Sequence, residues 1–99
     1  MSSISSQQQL ALLANMAQKR GLTNQLYEEE FKDEYEHTWW SATYVASFQD
    51  SNGNLRHVPI GICRQPHCFQ HHAHDEATRN ALNLLKAKPT NDELVTSKP

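Results

Sequence analysis

Cysteine and histidine are concentrated in one short segment of this chain, between residues 63 and 74. The metal-binding side chains in this segment are Cys63, His67, Cys68, His71, His72 and His74. Zinc accepts thiolate and imidazole ligands, so a zinc site is one hypothesis for the segment. Its candidate ligands are Cys63, His67, Cys68 and His71. The spacing does not follow a standard zinc-finger pattern, in which ligand pairs come from two separated segments, and only His37 or His57 could supply a ligand from elsewhere. We therefore predict no resident metal or other cofactor, and a polar loop in which Cys68 or Phe69 packs against the core.

Catalytic chemistry has little support in the sequence. There is no glycine-rich phosphate-binding loop and no nucleophile elbow, and a cysteine close to a histidine in sequence does not by itself make a nucleophile with its base. The acidic residues at 28–30 and around 33–36 are most simply solvated surface charges. We therefore expect a protein that is not an enzyme and has no catalytic residues.

Length and charge limit the class of protein further. A chain of 99 residues with 37% hydrophobic residues fits one small domain. The formal net charge of -2 is not typical of a dedicated nucleic-acid-binding protein, although affinity depends on the local density of Lys and Arg on one face. The chain has no long apolar run and no basic, apolar leader. These features predict an intracellular protein, cytoplasmic or nuclear, with free thiols and no membrane partner.

Two amphipathic helices are predicted near the ends of the chain. Apolar residues at spacings of three and four indicate a helix over residues 7–20, capped by Ser5 or Ser6 and ended by Gly21. The same spacing indicates a second helix over residues 73–88, with acidic residues in its first turn and a proline after its end.

Three strands are predicted between the helices. Side-chain alternation favours a strand over residues 26–32, for which a continued helix is the alternative, and a clearer strand over residues 38–50. An Asn-Gly turn then returns the chain into a third strand over residues 55–62, with Val58, Ile60 and Ile62 expected on one face. Pro59 cannot donate a ladder hydrogen bond, which favours an edge position or a local irregularity.

These elements predict an α+β fold of order α-β-β-β-α, in which two helices pack on one face of a three-stranded antiparallel sheet. The expected core face of the sheet consists of Trp40, Ala42, Tyr44, Ala46 and Phe48. The predicted domain covers residues 7–88, with flexible ends at residues 1–6 and 89–99.

Several local motifs accompany this order of elements. Residues 13–21 combine a leucine, a polar residue two positions later and a helix-ending glycine, and His37 precedes the aromatic pair that opens the second strand. A ladder of mostly small residues in the second helix consists of Ala73, Ala77, Ala81 and Leu82, and Gly61 lies near the end of the third strand. Together these features resemble the double-stranded RNA-binding domain over about residues 10–85, and the chain looks like a divergent member of that family.

The resemblance implies binding of double-stranded RNA by shape and 2′-hydroxyl contacts, independent of base sequence, as a regulatory or accessory module. Two regions would contact successive minor grooves, and the start of the second helix would contact the phosphates between them. The RNA-binding residues implied by position are Asn15, Gln18, His37, His71, His74 and Arg79. The family's lysine cluster is replaced here by Gln70, His71 and His74, so phosphate binding would depend on histidine protonation.

A protein-protein interaction or homodimerisation module of the same fold, without RNA binding, is the alternative. The replaced lysine cluster and the negative net charge favour it. Trp39 and Trp40 point to opposite faces of one strand, so at most one of them is expected in the core. The other could contact a protein partner, because interfaces are rich in aromatic side chains.

Overall fold

Three strands form one antiparallel sheet in the computed structural model, which describes residues 5–95. Strand β1 spans Thr23–Lys32, β2 spans Thr38–Gln49 and β3 spans Leu55–Ile62, in the spatial order β1-β2-β3. β1 pairs with β2 along its whole length, so the predicted strand is confirmed and the continued helix is excluded. The pairing with β2 also includes residues 23–25. These residues are polar, so hydrophobic alternation does not indicate that they belong to the strand.

Two long helices complete the predicted α-β-β-β-α order, which is confirmed. Helix α1 spans Ser6–Lys19, and its start is fixed by a capping box. The Ser5 hydroxyl accepts a hydrogen bond from the backbone N–H of Gln8, and the Gln8 side chain accepts one from the backbone N–H of Ser5. Helix α2 spans Gln70–Ala87 and packs against β2, β3 and α1.

The core lies between the helices and one face of the sheet. The face of the sheet that was predicted to be buried does form the core, except that Trp40 is only half-buried at its margin. The buried residues of β2 are Ala42, Tyr44, Ala46 and Phe48. The helices contribute mainly small and aliphatic residues, namely Leu13, Ala17, Ala73, Ala77, Ala81, Leu82 and Leu85. The alanines of α2 let this helix lie close to the sheet.

A β-bulge interrupts the pairing of β2 with β3 beside the proline. Tyr44 lies opposite Gly61 and Val45 lies opposite Pro59, so Ile60 is the extra residue. β3 is also an edge strand, and both outcomes predicted for Pro59 are therefore observed. The bulge changes which side chains face the core, because an extra residue reverses the alternation beyond it. Ile62, expected inside, is 50% exposed.

Gly61 lies directly against α2, with no space for a side chain. A Cβ atom built on Gly61 would lie 2.7 Å from the Cβ of Ala81 and closer still to the backbone oxygen of Ala77. Glycine is required at this position because there is no space for a side chain. Its backbone conformation is not the reason, because its φ is outside the left-handed region.

Helix α2 begins at Gln70 and not at residue 73, so part of the predicted loop is helical. The acidic residues Asp75 and Glu76 consequently lie in the second turn, not in the first as expected. The sequence gives no signal for this start because the N-cap residue, Phe69, makes no side-chain capping hydrogen bond.

A short third helix, α3 (Asn91–Val95), lies within the segment that the sequence predicted to be flexible. Leu94 is buried, and the Asn91 side chain exchanges two hydrogen bonds with Arg20 at the end of α1. Arg20 also donates to the backbone oxygen of Leu85, so this residue joins the end of α1 to α2 as well as to α3. The remaining residues of the two predicted flexible ends, 1–4 and 96–99, lie outside the described residues.

Candidate functional site

The predicted RNA-binding residues of α1 lie on its solvent side. Asn15 and Gln18 are both exposed, and they are three residues apart, which places them side by side on a helix. Leu12 is 40% exposed and lines the same shallow depression as Asn15. This part of α1 therefore presents amide groups beside apolar surface.

The loop between β1 and β2 is organised by one carboxylate, Asp33, which was expected to be a solvated charge. Asp33 accepts hydrogen bonds from the backbone N–H groups of Tyr35 and His37 and from the indole N–H of Trp39, at 2.8, 3.0 and 2.9 Å. The hydrogen bond from Trp39 is the largest of the effects that hold the pKa of Asp33 below its usual value, and the two backbone hydrogen bonds add to it. The loop therefore has a defined shape that exposes His37 and Tyr35.

Both tryptophans of β2 are half-buried, so neither is a freely exposed contact. Trp40 packs at the edge of the core, and Trp39 lies on the opposite face beside Phe31 and Pro66. The indole of Trp39 is held by Asp33, which gives this side chain a role within the chain itself.

Helix α2 exposes two of the predicted phosphate contacts, one in its first turn and one near its middle, and partly buries a third. His71 and Arg79 are exposed. His74 is turned inward, and its Nε2 lies 2.8 Å from the hydroxyl of Tyr44, which also accepts a hydrogen bond from Thr78. Burial raises the pKa of Tyr44, although the hydrogen bond from Thr78 opposes this effect. His74 therefore belongs to a polar network under the helix.

Aromatic rings cluster at the N-terminus of α2. The ring centroids of Phe69 and His72 are 5.4 Å apart, and those of His71 and His72 are 4.2 Å apart. Phe69 and Cys68 are exposed, so the expected packing of either against the core is wrong. The cysteine that packs inside is Cys63, which the bulge in β3 turns inward.

Two of the four predicted zinc ligands come together with Glu76, which was not among the predicted ligands. One atom each of Cys63, His67 and Glu76 lies within 4.8 Å of the others. His67 Nε2 is 2.6 Å from Glu76 Oε1. The Cys63 thiol lies 2.8 Å from the backbone oxygen of Gln65 and 3.3 Å from Glu76 Oε1, and it can donate to either oxygen. Cys68 and His71 are not part of this cluster. The spacing of thirteen residues between Cys63 and Glu76 carries no sequence signal, because α2 must first fold back over β3.

Electrostatics in the Cys63–His67–Glu76 cluster favour a charged carboxylate. Desolvation raises the pKa of Glu76, but hydrogen bonds from His67, the backbone N–H of Arg64 and Cys63 together lower it to about 2. Desolvation and the neighbouring carboxylate raise the pKa of the Cys63 thiol. The cluster therefore combines an ionised carboxylate, an imidazole and a protonated thiol.

Within residues 5–95, no hydrogen bond or ion pair connects Asn15, His37 and Arg79 to one another, so the predicted RNA-binding residues form separate patches.

Comparisons with family models, curated proteins and solved structures found no match to this chain. No helix in the described part of the chain is long and apolar enough to cross a membrane.

Proposed function

We propose that this chain binds double-stranded RNA through α1, the β1–β2 loop and the start of α2. The observation that carries the proposal is the exposure of polar residues on all three elements of an α-β-β-β-α fold. These residues are Asn15, Gln18, His37, His71 and Arg79. Recognition of an RNA duplex needs minor-groove contacts separated by a phosphate contact, and it does not require the three regions to touch.

The N-terminus of α2 is suited to a phosphate group. Its first turn contains no acidic residue, and no side chain caps its free backbone N–H groups. Such groups, together with the helix dipole, attract anions. His71 in this turn adds an imidazole, which carries a positive charge when it is protonated.

Nearby acidic groups predict weak binding. The Glu28 carboxylate accepts a hydrogen bond from the Gln70 side chain at 3.1 Å, so a negative charge lies beside the start of α2. Because few Lys or Arg residues are available to neutralise phosphates, the dependence of affinity on salt should be shallow.

A fluorescence-anisotropy titration with an RNA duplex of about 20 base pairs tests the proposal, with DNA of matching sequence as the comparison. We expect saturable binding of RNA alone at near-physiological salt, with higher affinity at pH 6 than at pH 8. Absence of RNA binding, or equal binding of DNA, would exclude this function.

Substitutions locate the contact surface. Arg79→Ala should weaken RNA binding and reduce the salt slope by about 1 if Arg79 contacts a phosphate. His71→Ala should remove most of the difference between pH 6 and pH 8. Lys86→Ala removes an exposed positive charge at the other end of α2 and serves as the control. An equal effect of Lys86→Ala would indicate a general charge effect in place of a defined surface.

Protein association through the outer face of the sheet is the second candidate function. Tyr27 and Phe31 of β1 are 56% and 42% exposed, and Phe31 pairs directly with Trp39 across the sheet. Exposed aromatic residues are typical of protein interfaces. If this face forms a homodimer, light scattering should show a dimer that Phe31→Glu converts to a monomer. A monomeric wild-type chain would exclude the homodimer.

A further inference from the structure

We propose that Cys63, His67 and Glu76 form a binding site for Zn²⁺ that joins the end of β3 to α2. The proposal is independent of RNA binding. It concerns the side of α2 that faces the β3–α2 connection, where Glu76 accepts hydrogen bonds from the backbone N–H of Arg64 and from His67.

The three ligand types are those that zinc uses in proteins. Zinc binds thiolate at about 2.3 Å, imidazole at about 2.0–2.1 Å and carboxylate at about 2.0–2.2 Å. In a tetrahedral site, these bond lengths place the ligand atoms about 3.3–3.6 Å apart. The distance from Cys63 Sγ to Glu76 Oε1 is already 3.3 Å, and His67 Nε2 would move away from its 2.6 Å contact with the same oxygen by about 1 Å.

The backbone of the two loop ligands is fixed by hydrogen bonds to β2. The N–H of Cys63 donates to the backbone oxygen of Ala42, and His67 exchanges two backbone hydrogen bonds with Trp40, at 2.7 and 2.8 Å. Since Glu76 lies on a regular helix, only side chains must move to enclose an ion. A site built on fixed elements binds more tightly than one that must order a mobile loop.

Glu76 is also oriented for this role by its second oxygen. The backbone N–H of Arg64 donates to Oε2 at 3.1 Å, which leaves Oε1 directed towards Cys63 and His67. Hydrogen bonds of this kind orient metal-binding side chains. On binding, Zn²⁺ would replace the thiol proton of Cys63, which passes to solvent, and two anionic ligands would neutralise the ion. The partly exposed His67 leaves a fourth position accessible to water.

Cobalt substitution tests the site in the full chain, after treatment with a chelator and a reducing agent. Co²⁺ should bind with a stoichiometry of one and give a thiolate-to-cobalt charge-transfer band, and Zn²⁺ should displace it and raise the melting temperature. Cys63→Ser should abolish the band. Cys68→Ser is the matched control, because it removes the exposed cysteine five residues away and should leave the band unchanged.

A second variant covers the case in which Cys63→Ser does not fold. Glu76→Gln retains the shape of the side chain and should lower the affinity for Zn²⁺ by at least about tenfold, measured by competition with a chromogenic chelator. The proposal is overturned if the wild-type chain shows no charge-transfer band, if Cys68→Ser abolishes it, or if Glu76→Gln binds Zn²⁺ as tightly as the wild type.

Discussion

Replacement of Gly61 by alanine should be the most damaging single-methyl change in this domain. The added Cβ would lie 2.7 Å from the Cβ of Ala81 and still closer to the carbonyl oxygen of Ala77. Carbon atoms in ordinary contact are about 3.5–4.0 Å apart, so α2 would have to move outward by about 1 Å. Overpacking of a core costs about 1–3 kcal/mol, and a backbone obstacle places Gly61→Ala at the upper end of that range.

This loss is a substantial fraction of the unfolding free energy of a small domain, which is about 5–15 kcal/mol for a chain of this length. With a urea m-value of about 1–2 kcal/mol/M, a loss of about 3 kcal/mol lowers the unfolding midpoint by about 1.5–3 M. Urea titrations followed by circular dichroism and by tryptophan fluorescence would measure it. If the midpoint falls by less than about 0.5 M, the close packing of α2 on β3 is refuted.

Gly53→Ala in the β2–β3 turn is the matched control. Gly53 has a φ of 83°, but no atom lies within 4 Å of an added Cβ. Its replacement should cost only about 1–2 kcal/mol, from the left-handed backbone conformation. The double variant Gly61→Ala, Ala81→Gly should recover part of the stability lost in Gly61→Ala, since the carbonyl oxygen of Ala77 remains in place. Full recovery would show that this oxygen is not an obstacle.

Three further predictions concern other parts of the fold. Tyr44→Phe leaves His74 without its hydroxyl partner and should cost about 1–3 kcal/mol of unfolding free energy in urea titrations, and an unchanged midpoint would contradict this. Leu94→Ala should cost about 2–3 kcal/mol if α3 is part of the folded domain, whereas a loss below about 0.5 kcal/mol is typical of surface positions. The pKa of Asp33 is lowered mainly by the hydrogen bond from Trp39, so its contribution to stability is complete above the usual aspartate pKa and is lost as the pH falls through the lower, folded-state value. An NMR titration of the carboxyl group should show a midpoint below about 3.9 that rises in Trp39→Phe.

The architecture was predictable because periodicity and burial agree along most of the chain. In β2, alternate residues from Ala42 to Phe48 are buried, and the sequence shows the same alternation. In α1, the spacing of Leu13 and Ala17 indicates the buried face, and Ser5 provides a recognisable cap. Local signals therefore sufficed wherever a regular element packs one face against the core.

Prediction from the sequence failed where an element depends on tertiary contacts and has no local signal of its own. Helix α2 starts at Gln70 without a capping side chain, so nothing in the sequence marks its first residue. Helix α3 is too short to form on its own, and the hydrogen bonds of its Asn91 are with Arg20, from a distant part of the chain. Periodicity cannot indicate an element that only packing stabilises.

The Cys63–His67–Glu76 cluster depends on the β-bulge in β3, which was one of the two alternatives predicted for Pro59. Pro59 indicated a disturbance in β3, and the resulting bulge turns Cys63 inward in place of Ile62. Because Gly61 lets α2 lie close to β3, Glu76 then faces the buried thiol. The two proposals can therefore be tested separately. Cys63→Ser removes a proposed metal ligand without changing an exposed residue of the RNA surface, and Arg79→Ala leaves the metal cluster intact.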